Sequence, residues 1–307
     1  MNKVWLTGDA VVDLIPDGDT RYLKCPGGAP ANVAVGIARL AGECGFFGRV
    51  GADPLGRFMR KVLSDENVDT SHLILDDQQR TSTVLVDLDA QGERSFTFMV
   101  KPSADQFMEI GDIPRFQQGQ WLHFCSIALA NEPSRSSVFD AMASIKASGG
   151  FVSFDPNLRD EVWQQPSDMR AVVMKAVMAA DVVKFSEEEL LFLTETTDLQ
   201  RGLAALESYH IPLVLVTLGA EGALVKFNGN QYQVASQAVT PVDTTGAGDA
   251  FVCGVLAKLA QHNVWLNEVI ILEAVKWGNY CGALATTQKG AMTALPTSTQ
   301  LQHSLRN

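Results

Sequence analysis

The chain has 307 residues, 46% of them hydrophobic and 19% charged, enough to bury one large α/β core and too apolar for wholesale disorder. Its formal charge of -11 speaks against a general nucleic-acid binder or a protein held on an anionic membrane, since both need a basic face. Phosphate ligands stay open, because a few local cations or backbone N–H groups suffice to hold them.

In chain order, Val4–Thr7 is a short apolar run that ends in Gly8-Asp9, a buried strand by its pattern. Residues 28–41 are rich in Ala and Val with Pro30 near the start, which suits the first turn of a helix. Phe46–Val50 predicts a strand and Pro54–Leu63 a helix. The stretch Ser82–Val100 differs: two alternating runs around Ala90-Gln-Gly-Glu93 predict a β-hairpin. The strand-helix rhythm then resumes at Trp121–Ile127, Ser134–Ala147, Phe151–Phe154, Met169–Ala180, Asp181–Phe185, Glu187–Thr194, Gly202–Tyr209 and Leu213–Leu218. That alternation predicts an α/β fold with a doubly wound, mostly parallel sheet covered on both faces. The hairpin breaks the rhythm. Residues 82–107, together with about 11–26, are expected to form a small β appendage on a single domain spanning 1–307. Polar groups follow several of the strands, and ligands of doubly wound sheets sit at the strands' carboxyl ends. One shared cleft is therefore expected.

The five cysteines, at 25, 44, 125, 253 and 281, form no C-x-x-C pair and no zinc spacing with histidine. Reduced core thiols and a cytoplasmic location follow. The first residues carry too short an apolar run for a signal peptide, and no stretch of about 18 apolar residues offers a membrane span. The five histidines share no metal spacing and read as structural or surface groups.

Chemistry concentrates in two runs. Asp243-Thr-Thr-Gly-Ala-Gly-Asp249 precedes an apolar helix, Ala250–Ala260. The N–H groups of Gly246, Ala247 and Gly248 fall at the helix start, where free donors and the dipole favour anions. Asp249 beside that hole suits a general base, although an acidic residue is also common at helix starts on structural grounds. Gly27-Gly-Ala-Pro-Ala-Asn32 brings two permissive glycines and a side chain that both donates and accepts.

These two runs resemble the signatures of the ribokinase/PfkB carbohydrate kinases. The likeness continues through Gly8-Asp9 with Asp13, Asp155-x-Asn157-x-Arg159, Thr217-x-Gly219 and Lys289-Gly290-Ala291, in order along nearly the whole chain. Within the family the likeness is to bacterial fructokinases, with aminoimidazole riboside, ribose and 2-keto-3-deoxygluconate kinases as alternatives. It implies a ribokinase-like fold with a β-sheet lid and transfer of the γ-phosphoryl of ATP to a sugar hydroxyl, D-fructose O6. Asp249 would be the base, with Gly246, Ala247 and Gly248 as the anion hole and Arg159 bracing the phosphoryl group. Asp9, Asp13, Gly27, Gly28, Asn32, Phe96 and Phe98 would hold the sugar. Lys184, Glu189, Thr217, Gly219, Gly222 and Asn279 would line the ATP site. Mg²⁺ would be held through water by Glu189. K⁺ would sit on Asp243, Thr245, Ala285, Gln288 and Gly290. The family's Asn-x-x-Glu is here Ser186-Glu-Glu-Glu189, a shorter group in the first place.

Bland alternatives accompany each of these. Glu187–Glu189 reads equally as an acidic helix start, Phe96 and Phe98 as hairpin packing, and Lys184 as a snorkelling strand-end lysine. A non-catalytic sugar sensor on the same fold would be expected to lose the base or the anion hole, and both are present. The absence of a dinucleotide fingerprint disfavours an oxidoreductase. Small-molecule partners, sugar and ATP, are expected, with a homodimer formed through the lid.

Overall fold

In the computed structural model, which describes residues 1–88 and 94–306, the strands in chain order are β1 (Val4–Thr7), β2 (Val11–Pro16), β3 (Tyr22–Gly27), β4 (Cys44–Gly51), β5 (Asp69–Asp76), β6 (Thr83–Leu88), β7 (Arg94–Phe98), β8 (Trp121–Cys125), β9 (Phe151–Asp155), β10 (Val182–Ser186), β11 (Leu213–Thr217), β12 (Ala223–Phe227) and β13 (Asn230–Val234). The helices are α1 (Ala29–Arg39), α2 (Pro54–Asp65), α3 (Ser134–Ala147), α4 (Met169–Ala179), α5 (Glu187–Thr194), α6 (Leu199–Ala205), α7 (Ala247–Leu259), α8 (Glu268–Ala285) and α9 (Ser298–Arg306).

The large sheet runs β13-β12-β11-β10-β9-β8-β1-β4-β5. It is parallel from β5 to β11 and turns antiparallel at β12 and β13. Successive side chains on a strand point to opposite faces, and the apolar runs exploit this. Val4, Leu6, Val182, Leu213 and Leu215 enter one core, under α1, α7 and α8. Trp5, Val183, Phe185, Val214 and Val216 enter the other, under α3 to α6. Burial on both faces is why these strands read as continuous apolar segments rather than alternating ones.

The chain builds β4 and β5 on one side of β1, then returns to place β8 on the other. That reversal makes the carboxyl ends of β1 and β8 the switch point where a doubly wound sheet opens a crevice. The second sheet, β3-β2-β6-β7, grows from the same place. Only Gly8, Asp9 and Ala10 separate β1 from β2, and β3 leads back through Gly27 and Gly28 into α1. Val11, Val84 and Val86 form the inner face of this sheet, with Ile15 and Phe98 packed against them.

Several expectations change. The strand expected over Trp121–Ile127 stops at Cys125, and Ser126–Leu129 coils into a 3-10 turn. The appendage expected over 82–107 is sheet only to Phe98. Ala104–Phe107 is a 3-10 turn with Ala104, Asp105 and Gln106 buried. The expected turn at 90–93 lies outside the described residues.

Helices α7 and α8 cross at glycines. A Cβ at Gly254 would lie 2.8 Å from the Trp277 backbone and 2.9 Å from Gly278, and one at Gly36 would lie 2.5 Å from Cys253 Sγ. In an open helix Gly→Ala gains about 1 kcal/mol. Here the obstacle is backbone, which cannot rotate away, so Gly254→Ala should instead cost about 1–3 kcal/mol by overpacking. Urea unfolding of the two chains measures it, and a stabilised variant would contradict the close crossing.

Candidate active site

The first turn of α7 is built by glycine. Gly246 caps the helix at φ 78°, ψ 3°, a left-handed conformation that costs glycine little. A Cβ there would also lie 2.8 Å from Ala291 Cβ. The first helical bond runs from Ala250 N to Gly246 O at 2.8 Å, so the N–H groups of Gly248 and Asp249 have no helical acceptor. Ala247 differs from expectation: its N–H donates to Thr244 O at 3.2 Å, within the turn. The donors free for an anion are therefore Gly248 and Asp249.

Asp249 is 9% exposed. Asn32 Nδ2 donates to its Oδ2 at 2.8 Å, joining the two sequence runs and leaving Oδ1 for another partner. Burial raises the Asp249 pKa from 3.8 to about 6, against the lowering effects of Asn32, Lys184 and Arg159. Burial likewise raises Asp9 from 3.8 to about 7, with Asp105 and Asp249 adding to it. Asp9 Oδ1 and Asn32 Oδ1 are buried with no partner among the described residues. Such atoms cost free energy unless a ligand satisfies them.

A cavity of about 370 Å³ collects these groups: Asp9, Asp13, Gly27, Gly28, Asn32, Phe98, Arg159, Lys184, Glu189, Thr245, Gly246, Gly248 and Asp249. Val11 and Val84 of the small sheet, together with Ile127, Asp155, Asn157 and Ala291, also line it. The hydroxyl-holding candidates and the anion-hole candidates thus share one volume. The glycines are there because strands approach closely. A Cβ at Gly28, which has φ 98°, would lie 2.4 Å from Asp9 O, and one at Gly27 would lie 2.8 Å from Asp13 Oδ2. Phe98 both packs on the small sheet's core and faces the cavity. Phe96 lies in β7, and its side chain is outside the described residues.

A second cavity, about 480 Å³, lies on the other side of the α7 start. Thr217, Gly219, Gly222, Ala247 and Asn279 line it, and it shares Gly248 with the first. Its walls are largely apolar, from Ala238, Val239, Pro241, Phe251 and Ala283. The Asn279 amide donates to Val234 O at 2.7 Å and Ala235 O at 3.3 Å, so it shapes this wall by holding the backbone. Sequence reasoning missed the segment from Ser236 to Pro241, which has neither glycine pattern nor charge to mark it.

Lys184 and Glu189 line the first cavity rather than the second. Lys184 Nζ meets Asp155 Oδ2 at 3.1 Å and Oδ1 at 3.3 Å. Burial works to lower the ammonium's pKa, but Asp155, Glu189 and Asp249 outweigh it and hold Lys184 charged. Ser186 caps α5: its Oγ accepts from Glu189 N at 3.1 Å, and Glu189 Oε2 accepts from Ser186 N at 2.8 Å. That reciprocal pair explains a serine at this position. Asp243 Oδ1 accepts from Thr245 N and Thr245 Oγ1, and Oδ2 accepts from Gly290 N at 2.8 Å. The carboxylate therefore ties the loop before α7 to the turn after α8, which ends at Ala285 and runs on through Gln288.

A polar cavity and a more apolar one meeting at a single helix start is the layout of an enzyme that carries a phosphoryl group between a sugar and a nucleotide. The model of the pfkB family carbohydrate kinases matches residues 1–298, and the chain belongs to that family. A fructokinase of Vibrio alginolyticus is 65% identical over 301 residues, 98% of either chain. An aminoimidazole riboside kinase of Salmonella typhimurium is 42% identical over 301 residues, 98% of this chain and 94% of its own. A double mutant of the fructokinase of Vibrio cholerae O395, solved in fructose, ADP and potassium ion bound form, matches with TM-score 0.95 and 65% identity, over 99% of this chain and 98% of that one.

Asp9 makes a stability prediction. Between pH 3.8 and about 7 the folded chain holds a proton on Asp9 that the unfolded chain has released. Stability on this account falls as pH rises through that window. Asp9→Asn removes the loss, so its melting temperature relative to the parent should be higher at pH 8 than at pH 5. Melting curves of both chains at the two pH values decide it, and a relative gain that grows toward pH 5 would reverse the sign.

Proposed function

We propose that this chain is an ATP-dependent fructokinase that phosphorylates D-fructose at O6. The observation that carries the reading is Asp249: a buried carboxylate with one oxygen held by Asn32 and the other open, beside the unpaired N–H groups of the α7 start, where the two cavities meet. In this reading Asp9, Asp13, Asn32 and the Gly27–Gly28 backbone hold the sugar hydroxyls, and the partnerless oxygens of Asp9 and Asn32 are satisfied by them. Asp249 Oδ1 takes the proton of the attacking hydroxyl. Its oxygen bonds to the γ-phosphorus of ATP as the bond to the β–γ bridging oxygen breaks, and ADP leaves. The Gly248 and Asp249 amides and Arg159 receive the equatorial charge of the transferred group. Phe98, Val11 and Val84 close the cavity from the small sheet and exclude water.

The nucleotide belongs in the second cavity, with its base on the apolar wall and Thr217, Gly219 and Gly222 near its sugar and phosphates. Fructose rather than aminoimidazole riboside is favoured by the fructokinase of Vibrio alginolyticus, at 65% identity against 42% for the aminoimidazole riboside kinase. Five free cysteines and ATP as co-substrate suit the cytoplasm. Among the described residues no helix is long and apolar enough to cross a membrane. The outer strand β3 leaves an open edge with Tyr22 and Leu23 exposed, and a homodimer pairing there, read by light scattering, would cover it.

Two cations fit the donors present. The Glu189 oxygens each accept one backbone N–H, which leaves a lone pair on each for a water of Mg²⁺. When bound, Mg²⁺ neutralises charge on the phosphates. On the family resemblance, the Asp243 carboxylate and the carbonyls of Thr245, Ala285, Gln288 and Gly290 would supply the hard oxygen set for K⁺, and the Asp243 bonds to Thr245 and Gly290 bring those two segments together.

Activity tests this directly. Fructose should exceed ribose, aminoimidazole riboside and 2-keto-3-deoxygluconate in kcat/KM, with phosphate placed on O6 by NMR. Its kcat/KM should fall as pH drops through about 6, where Asp249 gains its proton. Asp249→Asn should lose about 10²–10⁴-fold in kcat while keeping its fold. A competitor ahead of fructose by tenfold would change the substrate, and a variant with over half the parent kcat would remove the base.

K⁺ should activate more than Na⁺, because the Asp243 tie fixes the loop leading into the anion hole. Equal rates in K⁺ and tetramethylammonium at matched ionic strength would refute the cation site.

A further inference from the structure

Glu189 does more than cap its own helix. Its two carboxylate oxygens are divided between two chain segments. Oε2 accepts from Ser186 N at 2.8 Å, and Oε1 accepts from Leu158 N at 3.0 Å, across 31 residues of sequence. Leu158 immediately precedes Arg159, in the loop that leaves β9 for the cavity. That loop is not at ease by itself. Asn157 holds φ 39°, a left-handed conformation that asparagine tolerates better than most residues with a Cβ but that neighbouring contacts must still select. Those contacts are few. Ser126 N donates to Pro156 O at 3.1 Å, and Ser126 Oγ donates to Asn157 O at 3.4 Å. Glu189 supplies the third contact, and it is the charged one. Beyond it the chain is exposed at Arg159, whose Nη1 donates to Leu158 O at 2.7 Å. Glu189 and the guanidinium thus hold the two backbone groups of one residue, Glu189 its N–H and Arg159 its C=O.

We propose that Glu189 is a positioning residue that acts on phosphoryl transfer through Arg159, by clamping the Leu158 amide so that the left-handed turn at Asn157 aims the guanidinium into the cavity. This rests on the reading of Arg159 as the cation that braces the transferred group. It adds to any contact of Glu189 with a metal-bound water and is separable from it. The carboxylate is required because two N–H donors converge on it. Glutamine in its place offers one carbonyl oxygen and one N–H₂ group, and the latter faces a backbone donor it cannot accept from. Either the α5 start or the Arg159 loop then loses its partner.

The test is a double-mutant cycle of Glu189→Gln and Arg159→Ala, with Glu188→Gln, an exposed neighbour, as control. Glu189→Gln should lower kcat by up to about 10²-fold, the scale set by a misplaced catalytic group, while KM for fructose and the melting temperature stay near the parent's. The loss should persist at saturating Mg²⁺. In the Arg159→Ala background the same change should cost less than about twofold, because the two residues act as one unit. Hydrogen exchange of the Leu158 amide should accelerate in Glu189→Gln and not in Glu188→Gln. Equal losses in both backgrounds, or full recovery with added Mg²⁺, would overturn the proposal and leave Glu189 a metal-shell residue. If Arg159→Ala alone keeps the parent kcat, the reading of Arg159 falls and takes this inference with it.

Discussion

Three carboxylates, Asp9, Asp155 and Asp249, crowd the carboxyl end of the sheet in nearly dry surroundings, with Lys184 as the buried cation among them. Each is at most 9% exposed. Like charges that close in low dielectric repel strongly, and each also gives up its water. The ion pair of Lys184 with Asp155 offsets part of this, and Asn32 offsets another part through Asp249. Asp9 keeps an oxygen with no partner among the described residues. The protein therefore holds its most expensive polar groups at one place and leaves some unsatisfied, a cost tolerated where a ligand completes the set. The rest of the molecule supplies the rigidity to hold them. Two apolar cores clamp the sheet on both faces, and α1 and α7, which carry Asn32 and Asp249, pack through glycines at distances that allow little adjustment.

The same crowding accounts for the shape of the small sheet. Its β2–β3 hairpin starts two residues after Asp9 and ends one residue before Gly28, so both connections of that hairpin to the main domain are walls of the cavity. The inner face, Val11, Val84 and Phe98, is apolar where the floor is charged. A ring with hydroxyls on one face and C–H groups on the other matches that division better than a uniformly polar ligand.

Much of this was legible in the residues. The glycines at 246 and 248 and the carboxylate at 249 mark a helix start with free N–H groups by their chemistry alone, and the apolar runs marked the strands buried on both faces. Other parts were hidden for physical reasons. Strand β5 at the sheet edge is only partly buried and carries Asp, Ser and His among its apolar residues, so its periodicity is blurred. Strands β12 and β13 did have a marker: Asn228-Gly229, both at positive φ, is a two-residue hairpin turn. The parallel rhythm drew attention away from it. Asp105 could not have been found, because nothing in Ser103-Ala-Asp-Gln106 announces that a buried carboxylate there stands close enough to act on Asp9.

Residues 186–189 show where a motif under-determines its own geometry. Serine at 186 looked like a weakened form of an asparagine-led motif because it is a shorter group. In the folded chain its hydroxyl is the acceptor for Glu189 N, and the glutamate answers to Ser186 N with one oxygen and to Leu158 N with the other. The acidic run is thus both the bland helix start and a connection to the Arg159 loop, and the two readings are not rivals. A capping box fixes the glutamate side chain along the first turn of the helix. Once fixed, its remaining oxygen reaches the neighbouring loop without further ordering cost in side-chain entropy. That is how a local cap at the end of one strand becomes the support for a cation at the end of the next.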